Sequence, residues 1–239
     1  MQATRLVAHR GHLARHPENT RAALADALSL GARRIELDVQ LSRDGVPFLF
    51  HDRTLERLCG VAGAVHERTA PELATLRART PSGDSCQPLM RLDELPALLS
   101  EHPGAEAFVE LKRVALEQHG MERVALAAED ALGPALPRCI WISFELDCLL
   151  YLRTRAVRRV GAVIERWEQR HDPRIAALRP EFLFCDLEGL PAEGRLEQAG
   201  TEVVIYEVDS ADCARALFAR GVHAVETFQY ARLAQELRS

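Results

Sequence analysis

Short apolar runs of strand length recur along the chain at 5–8, 34–39, 46–50, 107–111, 139–143, 160–164, 182–185, 202–206 and 223–226. Most alternate with segments whose apolar residues return every three to four positions, at 20–30, 92–100, 114–132, 146–154, 211–219 and a last stretch running to Leu237. The first pattern is that of buried strands, the second that of amphipathic helices. Gly31, Gly133 and Gly221 stand where three of these helices should stop, because a left-handed residue commonly closes the last turn. One connection breaks the alternation. Residues 41–45 are far too few for a parallel crossover, which takes a dozen or more. The run at 46–50 should therefore return antiparallel, turning at Arg43, Asp44 and Gly45.

Setting that return strand aside leaves eight strands strung on helices. This is the arithmetic of an α/β fold, a TIM-type (β/α)8 barrel with a small hairpin inserted after its second strand. A doubly wound open sheet is the competing arrangement. It is disfavoured because the first strand–helix turn, His9-Arg10-Gly11-His12-Leu13, lacks the G-x-G-x-x-G phosphate fingerprint. No low-complexity stretch, charge run or long repeat marks a boundary, so 1–239 reads as one domain. Within it, 58–87 is a short polar insertion or connector with a helix expected over 71–77.

Composition narrows the function classes. At 47% hydrophobic and 27% charged residues, with no apolar run near the roughly 18 residues that span a bilayer, integral membrane association is not expected. A net charge of −5 argues against nucleic acid, whose binders cluster cations on phosphates. The opening residues MQATRLVAHRG leave no room for a secretory apolar segment. The cysteines (Cys59, Cys86, Cys139, Cys148, Cys185 and Cys213) form no C-x-x-C pair and read as free thiols of a cytoplasmic protein. Of 30 basic side chains one is a lysine, Lys112. No feature of the sequence bears on assembly.

In a barrel the chemistry sits at the C-terminal ends of the strands. There the chain carries His9 and Arg10, then Glu36 and Asp38, then Glu110 and Lys112. Strand side chains alternate faces, so each i, i+2 pair projects to one side while Leu37 and Leu111 point to the other. Helices cover the outside of a barrel, so the polar side must face the lumen or its mouth. Three converging carboxylates repel one another unless a cation is present. Oxygen-only ligation points to a hard divalent ion, Mg²⁺ or Ca²⁺, held by Glu36, Asp38 and Glu110. If the hairpin centres on Arg43 and Asp44, residue 51 falls opposite residue 36, which brings His51 and Asp52 to the cluster that already contains His9. Two histidines titrating near neutrality, a hard cation, Arg10 and Lys112 together suit the cleavage of a phosphodiester. No nucleophilic serine or P-loop motif competes with that reading.

The ordered set His9-Arg10-Gly11, Pro17-Glu18-Asn19-Thr20, Glu36-Leu37-Asp38-Val39, Asp44-Gly45-Val46-Pro47 leading into His51-Asp52, Thr54-Leu55 and Glu110-Leu111-Lys112 resembles the glycerophosphodiester phosphodiesterase family. The resemblance is dense over the first half of the chain; beyond residue 113 only Ser143-Phe144 and Gly221-Val222 match family positions. It implies a TIM-type barrel that hydrolyses small-molecule glycerophosphodiesters, such as deacylated phospholipid head groups, to an alcohol and sn-glycerol 3-phosphate. By the same resemblance His9 and His51 are the catalytic histidines, Glu36, Asp38 and Glu110 the metal ligands, and Arg10 and Lys112 the phosphate-facing cations. Pro17 to Thr20 would shape the first loop, with Asn19 capping the helix that follows.

The chain departs from the family at two strand ends. Tyr206-Glu207-Val208-Asp209 stands for a Trp-Thr-Val-Asn-like sequence, and Glu226-Thr227-Phe228-Gln229-Tyr230 for one ending Thr-Asp-x-Pro. Asp186, Glu207 and Glu226 would make the rim acidic and favour a cationic head group. A phospholipase C- or D-like activity on the same constellation, and a catalytically silent barrel acting as a binding module, are the alternatives. The solitary lysine yields a test. An ammonium is a compact point charge, whereas a guanidinium is a wide, rigid fork that would crowd a metal and a phosphate. Lys112→Arg should keep the fold and metal binding but lose much of the turnover rate; a rate equal to that of the native chain would make the lysine incidental.

Overall fold

The computed structural model describes residues 2–155 and 159–238. The strands are β1 (Leu6–His9), β2 (Arg34–Leu41), β3 (Pro47–Leu49), β4 (Arg77–Arg79), β5 (Cys86–Pro88), β6 (Glu106–Leu111), β7 (Cys139–Ser143), β8 (Val160–Ile164), β9 (Phe182–Asp186), β10 (Glu202–Tyr206) and β11 (Ala224–Thr227). The helices are α1 (Arg21–Ser29), α2 (Glu56–Cys59), α3 (Ala70–Ala74), α4 (Leu95–Glu101), α5 (Arg113–His119), α6 (Met121–Leu132), α7 (Leu146–Arg155), α8 (Pro173–Leu178), α9 (Ala211–Ala219) and α10 (Tyr230–Glu236). Among the described residues, β1, β2 and β6 to β11 pair in parallel in chain order, and β1 bonds both β2 and β11, which closes an eight-stranded barrel. β3 lies outside the ring, antiparallel to β2.

Alternation along the strands sorts two cores. Outward residues such as Leu37, Val39 and Leu111 pack beneath the helices. Inward residues Val7, Phe108, Ile140, Ile142, Val163, Phe182, Phe184, Val204 and Ala224 fill the lumen. The lumen centres on Phe108, whose ring meets Phe182 at 5.0 Å and Phe184 at 4.9 Å, edge to face. Gly161 makes this packing possible, since a Cβ there would stand 3.0 Å from both Ile142 Cγ2 and Phe182 Cβ. Following the same inward face two residues onward, Val7 gives way to His9, Phe108 to Glu110 and Ala224 to Glu226. The lumen is thus apolar below and charged at its C-terminal mouth.

Three sequence expectations needed correction. The helix expected over 114–132 is broken at Gly120, which takes φ 78°, ψ 152°, and divides α5 from α6; only glycine enters that region at low cost. The segment 58–87 contains α3, close to the expected helix, and also the unforeseen β4–β5 hairpin. These three-residue strands, Arg77-Ala78-Arg79 and Cys86-Gln87-Pro88, carry too little apolar alternation to register as strands. The β2–β3 register pairs Val39 with Leu49 and Leu41 with Pro47, one residue away from the expected 36–51 pairing. The loop pivots on Asp44 rather than between Arg43 and Asp44, because Gly45 adopts φ 89° and Ser42 N donates to Val46 O at 2.9 Å.

Gly11 shows how tightly the first loop is drawn against α1. It has φ 100°, and a Cβ there would lie 2.6 Å from the backbone carbon of Ala23. Gly11→Ala should lower unfolding free energy by about 2–4 kcal/mol, read from urea midpoints; an unchanged midpoint would contradict the close approach.

Candidate active site

All seven residues singled out in the sequence come together at the barrel mouth, where His9, Arg10, Glu36, His51, Glu110 and Lys112 line one cavity and Asp38 lies beneath it, fully buried. β2 and β6 are neighbours with Asp38 level with Glu110. Oxygens of Glu36, Asp38 and Glu110 all lie within 4.8 Å of one another. Two cations join them, but unevenly. Lys112 Nζ stands 2.9 Å from Glu110 Oε1 and 3.1 Å from Asp38 Oδ1, and Arg10 Nε stands 3.1 Å from Asp38 Oδ2.

That imbalance sets the protonation states. Burial works to raise the Asp38 carboxyl, but Lys112 and Arg10, then His51 and a hydrogen bond from Asn19, hold it far below the usual carboxylate range. Glu36 has no such pair. Burial, then Asp38, Glu226 and Glu110, push it well above the usual range, and neither of its oxygens has a hydrogen-bond partner. A buried, unpartnered carboxylate beside two others is what an added cation would satisfy. The all-oxygen donor set suits a hard divalent ion. The residues present therefore fit a metal at Glu36, Asp38 and Glu110.

The two histidines are held differently. His9 stacks on Phe228, with centroids 4.3 Å apart and planes at 11°, and its Nε2 faces Glu36 and Glu226 at 3.8 Å each. Burial, followed by Arg10, lowers its pKa well below the ordinary value, so the ring stays neutral. His51 follows β3 in a loop, its Nδ1 2.9 Å from Asp52 Oδ1. Burial favours the neutral Asp52 acid, but hydrogen bonds from Arg57 and His51 outweigh it and hold the carboxyl below the usual range. An ionised Asp52 only accepts, so Nδ1 of His51 carries the proton and Nε2 is presented outward.

Several positioning residues escaped the sequence reading. Gln40, 1% exposed, turns its amide nitrogen to the carbonyls of Phe50 at 2.9 Å and Asp52 at 2.7 Å, fastening the loop that carries His51. These contacts add to the strand pairing, which runs on to a bond from Phe50 N to Asp38 O at 2.9 Å, in bringing His51 to the mouth. Arg57 bonds both oxygens of Glu18 at 2.8 and 2.9 Å and both of Asp52 at 2.5 and 2.9 Å. Asn19 is not the helix cap; Thr20 is, accepting from Ala23 N at 3.3 Å. Asn19 instead adopts φ 56° and donates from Nδ2 to Asp38 at 2.8 Å. Glu226, expected at the rim, is 3% exposed and lies inside beside His9, because β11 turns it to the lumen face. The Pro-Glu-Asn-Thr spacing marked the Glu18 loop; nothing local marked Gln40 or Arg57.

Comparison with known proteins identifies the family. The model of the Glycerophosphoryl diester phosphodiesterase family matches residues 9–227. The chain belongs to this family. It is 43% identical over 81 residues to a glycerophosphodiester phosphodiesterase of Caldanaerobacter subterraneus subsp. tengcongensis, covering 34% of this chain and 33% of that protein. It is 34% identical over 167 residues to the probable glycerophosphodiester phosphodiesterase 1 of Mycobacterium tuberculosis, covering 63% and 60%. The matched stretches thus span a third to three fifths of these curated relatives. Among solved structures, an Oleispira antarctica phosphodiesterase in complex with the product sn-glycerol-3-phosphate superposes with a TM-score of 0.85 at 23% identity, covering 98% and 96% of the two chains. That similarity bears on the fold, the same closed barrel.

Two outcomes follow for this family member. Arg57→Met leaves the buried Glu18 with Arg10 alone (3.2 Å) and should cost about 1–2 kcal/mol of stability, measured by chemical unfolding; no loss would mean the ion pairs are incidental. Glu226 is likewise pushed well above the ordinary glutamate value, first by burial. A raised pKa contributes stability that is complete below the unfolded value and is lost as pH rises through the folded one. Metal-free Glu226→Gln should therefore gain stability relative to the native chain as pH rises above the unfolded glutamate value of about 4.3. A difference independent of pH would contradict the assignment.

Proposed function

We propose that the protein is a metal-dependent phosphodiesterase that hydrolyses glycerophosphodiesters to an alcohol and sn-glycerol 3-phosphate, with acid–base catalysis by His9 and His51. The observation that carries this reading is the convergence, on one cavity of about 450 Å³, of two histidines, two cations and carboxylates that include the unpartnered Glu36. Family membership narrows the substrate class. Glu36, Asp38 and Glu110 would hold the Mg²⁺ or Ca²⁺ ion. When bound, the ion would supply Lewis-acid neutralisation of charge on the phosphoryl oxygens.

The remaining steps belong to the chain itself. Arg10 and Lys112 each keep N–H groups beyond those pairing Asp38 and Glu110, and direct them at the non-bridging oxygens of the diester. One histidine takes the proton of the nucleophile as the new P–O bond forms, the nucleophile being water or the substrate's own glycerol hydroxyl, in which case water then opens the cyclic phosphate in a second displacement. The other gives a proton to the leaving alkoxide oxygen as the old P–O bond breaks. Asp52 keeps the His51 imidazole in a single tautomer for that exchange, and Phe228 fixes the plane of His9. The six free cysteines support a reducing, cytoplasmic setting, and no helix among the described residues is long and apolar enough to cross a membrane.

The test is turnover of glycerophosphodiesters after chelation, with Mg²⁺, Ca²⁺ and Mn²⁺ restored separately. Activity should vanish and return with the ion; activity surviving complete metal removal would overturn the triad's role. An independent readout is thermal stability, since an ion at a hundredfold its Kd should stabilise the native chain by about 2.7 kcal/mol. Glu36→Gln should lose most of that increment.

A further inference from the structure

The cavity has a second half. Beyond the phosphate-facing groups it is walled by Phe144, Phe184 and Tyr206 and rimmed by Glu165, Asp186, Glu188 and Glu207, with Arg166 the single opposing cation among its lining residues. Among the described residues none of these four carboxylates forms a salt bridge. At the base of the same cavity lies Glu226, 3% exposed, with Oε1 lacking any hydrogen-bond partner. The acidic lining therefore runs from the rim to a buried, unsatisfied oxygen.

Its parts are held in place. Tyr206 Oη donates to Ile164 O at 3.2 Å, which fixes the ring against the wall. The phenol is pushed well up, by burial first and then by Asp186, Cys185, Glu165 and Glu207, so three of the rim carboxylates bear on one aromatic ring. Glu207 adopts φ 64°, a strained conformation for a residue other than glycine and one that accumulates at ligand sites.

We infer that this half of the cavity receives the alcohol side of the diester and selects an alcohol bearing a positive charge, a protonated amine or a quaternary ammonium. The inference rests on the phosphodiesterase reading above. Aromatic faces attract such cations, and unpaired carboxylates gain from them what a neutral polyol cannot offer and an anionic alcohol would lose. The phosphate half, with Arg10, Lys112 and the metal ligands, cannot discriminate in this way because every diester presents it with the same group.

The experiment compares kcat/KM of the metal-loaded enzyme for glycerophosphoethanolamine and for its N-acetyl derivative, which keeps the atoms next to phosphorus and removes the charge. Glycerophosphocholine serves as the second cation. The cationic substrates should be favoured about tenfold or more, and the preference should collapse towards unity in Glu165→Gln/Glu207→Gln, whose fold is checked by thermal melting. Equal kcat/KM for charged and uncharged substrates in the native chain would overturn the inference while leaving the phosphodiesterase reading intact. A preference that persists undiminished in the double variant would remove these carboxylates from it. Turnover of none of these diesters would sink both readings together.

Discussion

Burying four carboxylates at one end of a barrel is the constraint on which the rest of this structure depends. Glu36, Asp38, Glu110 and Glu226 are at most 8% exposed, and two nearby cations, Arg10 and Lys112, cannot neutralise them all. The arrangement concentrates compensation on Asp38, which receives Lys112, Arg10 and Asn19. Glu36 and Glu226 remain short of partners. A mouth built this way holds an electrostatic deficit that an entering cation, whether a metal at the triad or a charged group of the substrate, would relieve. The apolar lumen below and the helix-covered strands around it supply the stability that such a site gives up.

The same economy reaches outward to the loop carrying His51. From Asp38 the contacts run to Arg10, then Glu18, Arg57, Asp52 and finally His51. The links as far as Asp52 pair opposite charges and the last is the hydrogen bond between Asp52 and His51, so the loop is tied to the end of β2 by a continuous chain of polar contacts, with Gln40 adding further hydrogen bonds beneath it. Among the described residues, three of the four non-glycine positive-φ positions, Arg10, Asn19 and Glu207, fall at this mouth. Arg10 and Asn19 bend there to serve Asp38. Strain of this kind persists where surrounding contacts over-determine the backbone.

Much of this was readable in the residues alone. Period-two alternation within 34–41 and 106–111 sorts Glu36, Asp38 and Glu110 from Leu37 and Leu111 without reference to any neighbour, and the shortness of 41–45 demands a reversal. What failed to read were features made by single residues in special conformations or by distant partners. Gly120 interrupts a helical pattern that continues across it. Gly45 shifts the hairpin by one position. Asn19 looks like a cap by sequence position and becomes a ligand of Asp38 only because the first loop folds over β2.

The sequence by itself determined the barrel and the identity of the groups at its mouth, because strand and helix periodicity are local and the closed ring follows from repeating one unit. Tertiary structure alone decided how those groups are used. Which carboxylate receives a cation, which is left wanting, and that Glu226 lies inside rather than on the rim depend on side chains brought together from strands far apart in the chain. Electrostatics in a buried site is set by those distances and by the exclusion of water, and neither quantity is written along a sequence.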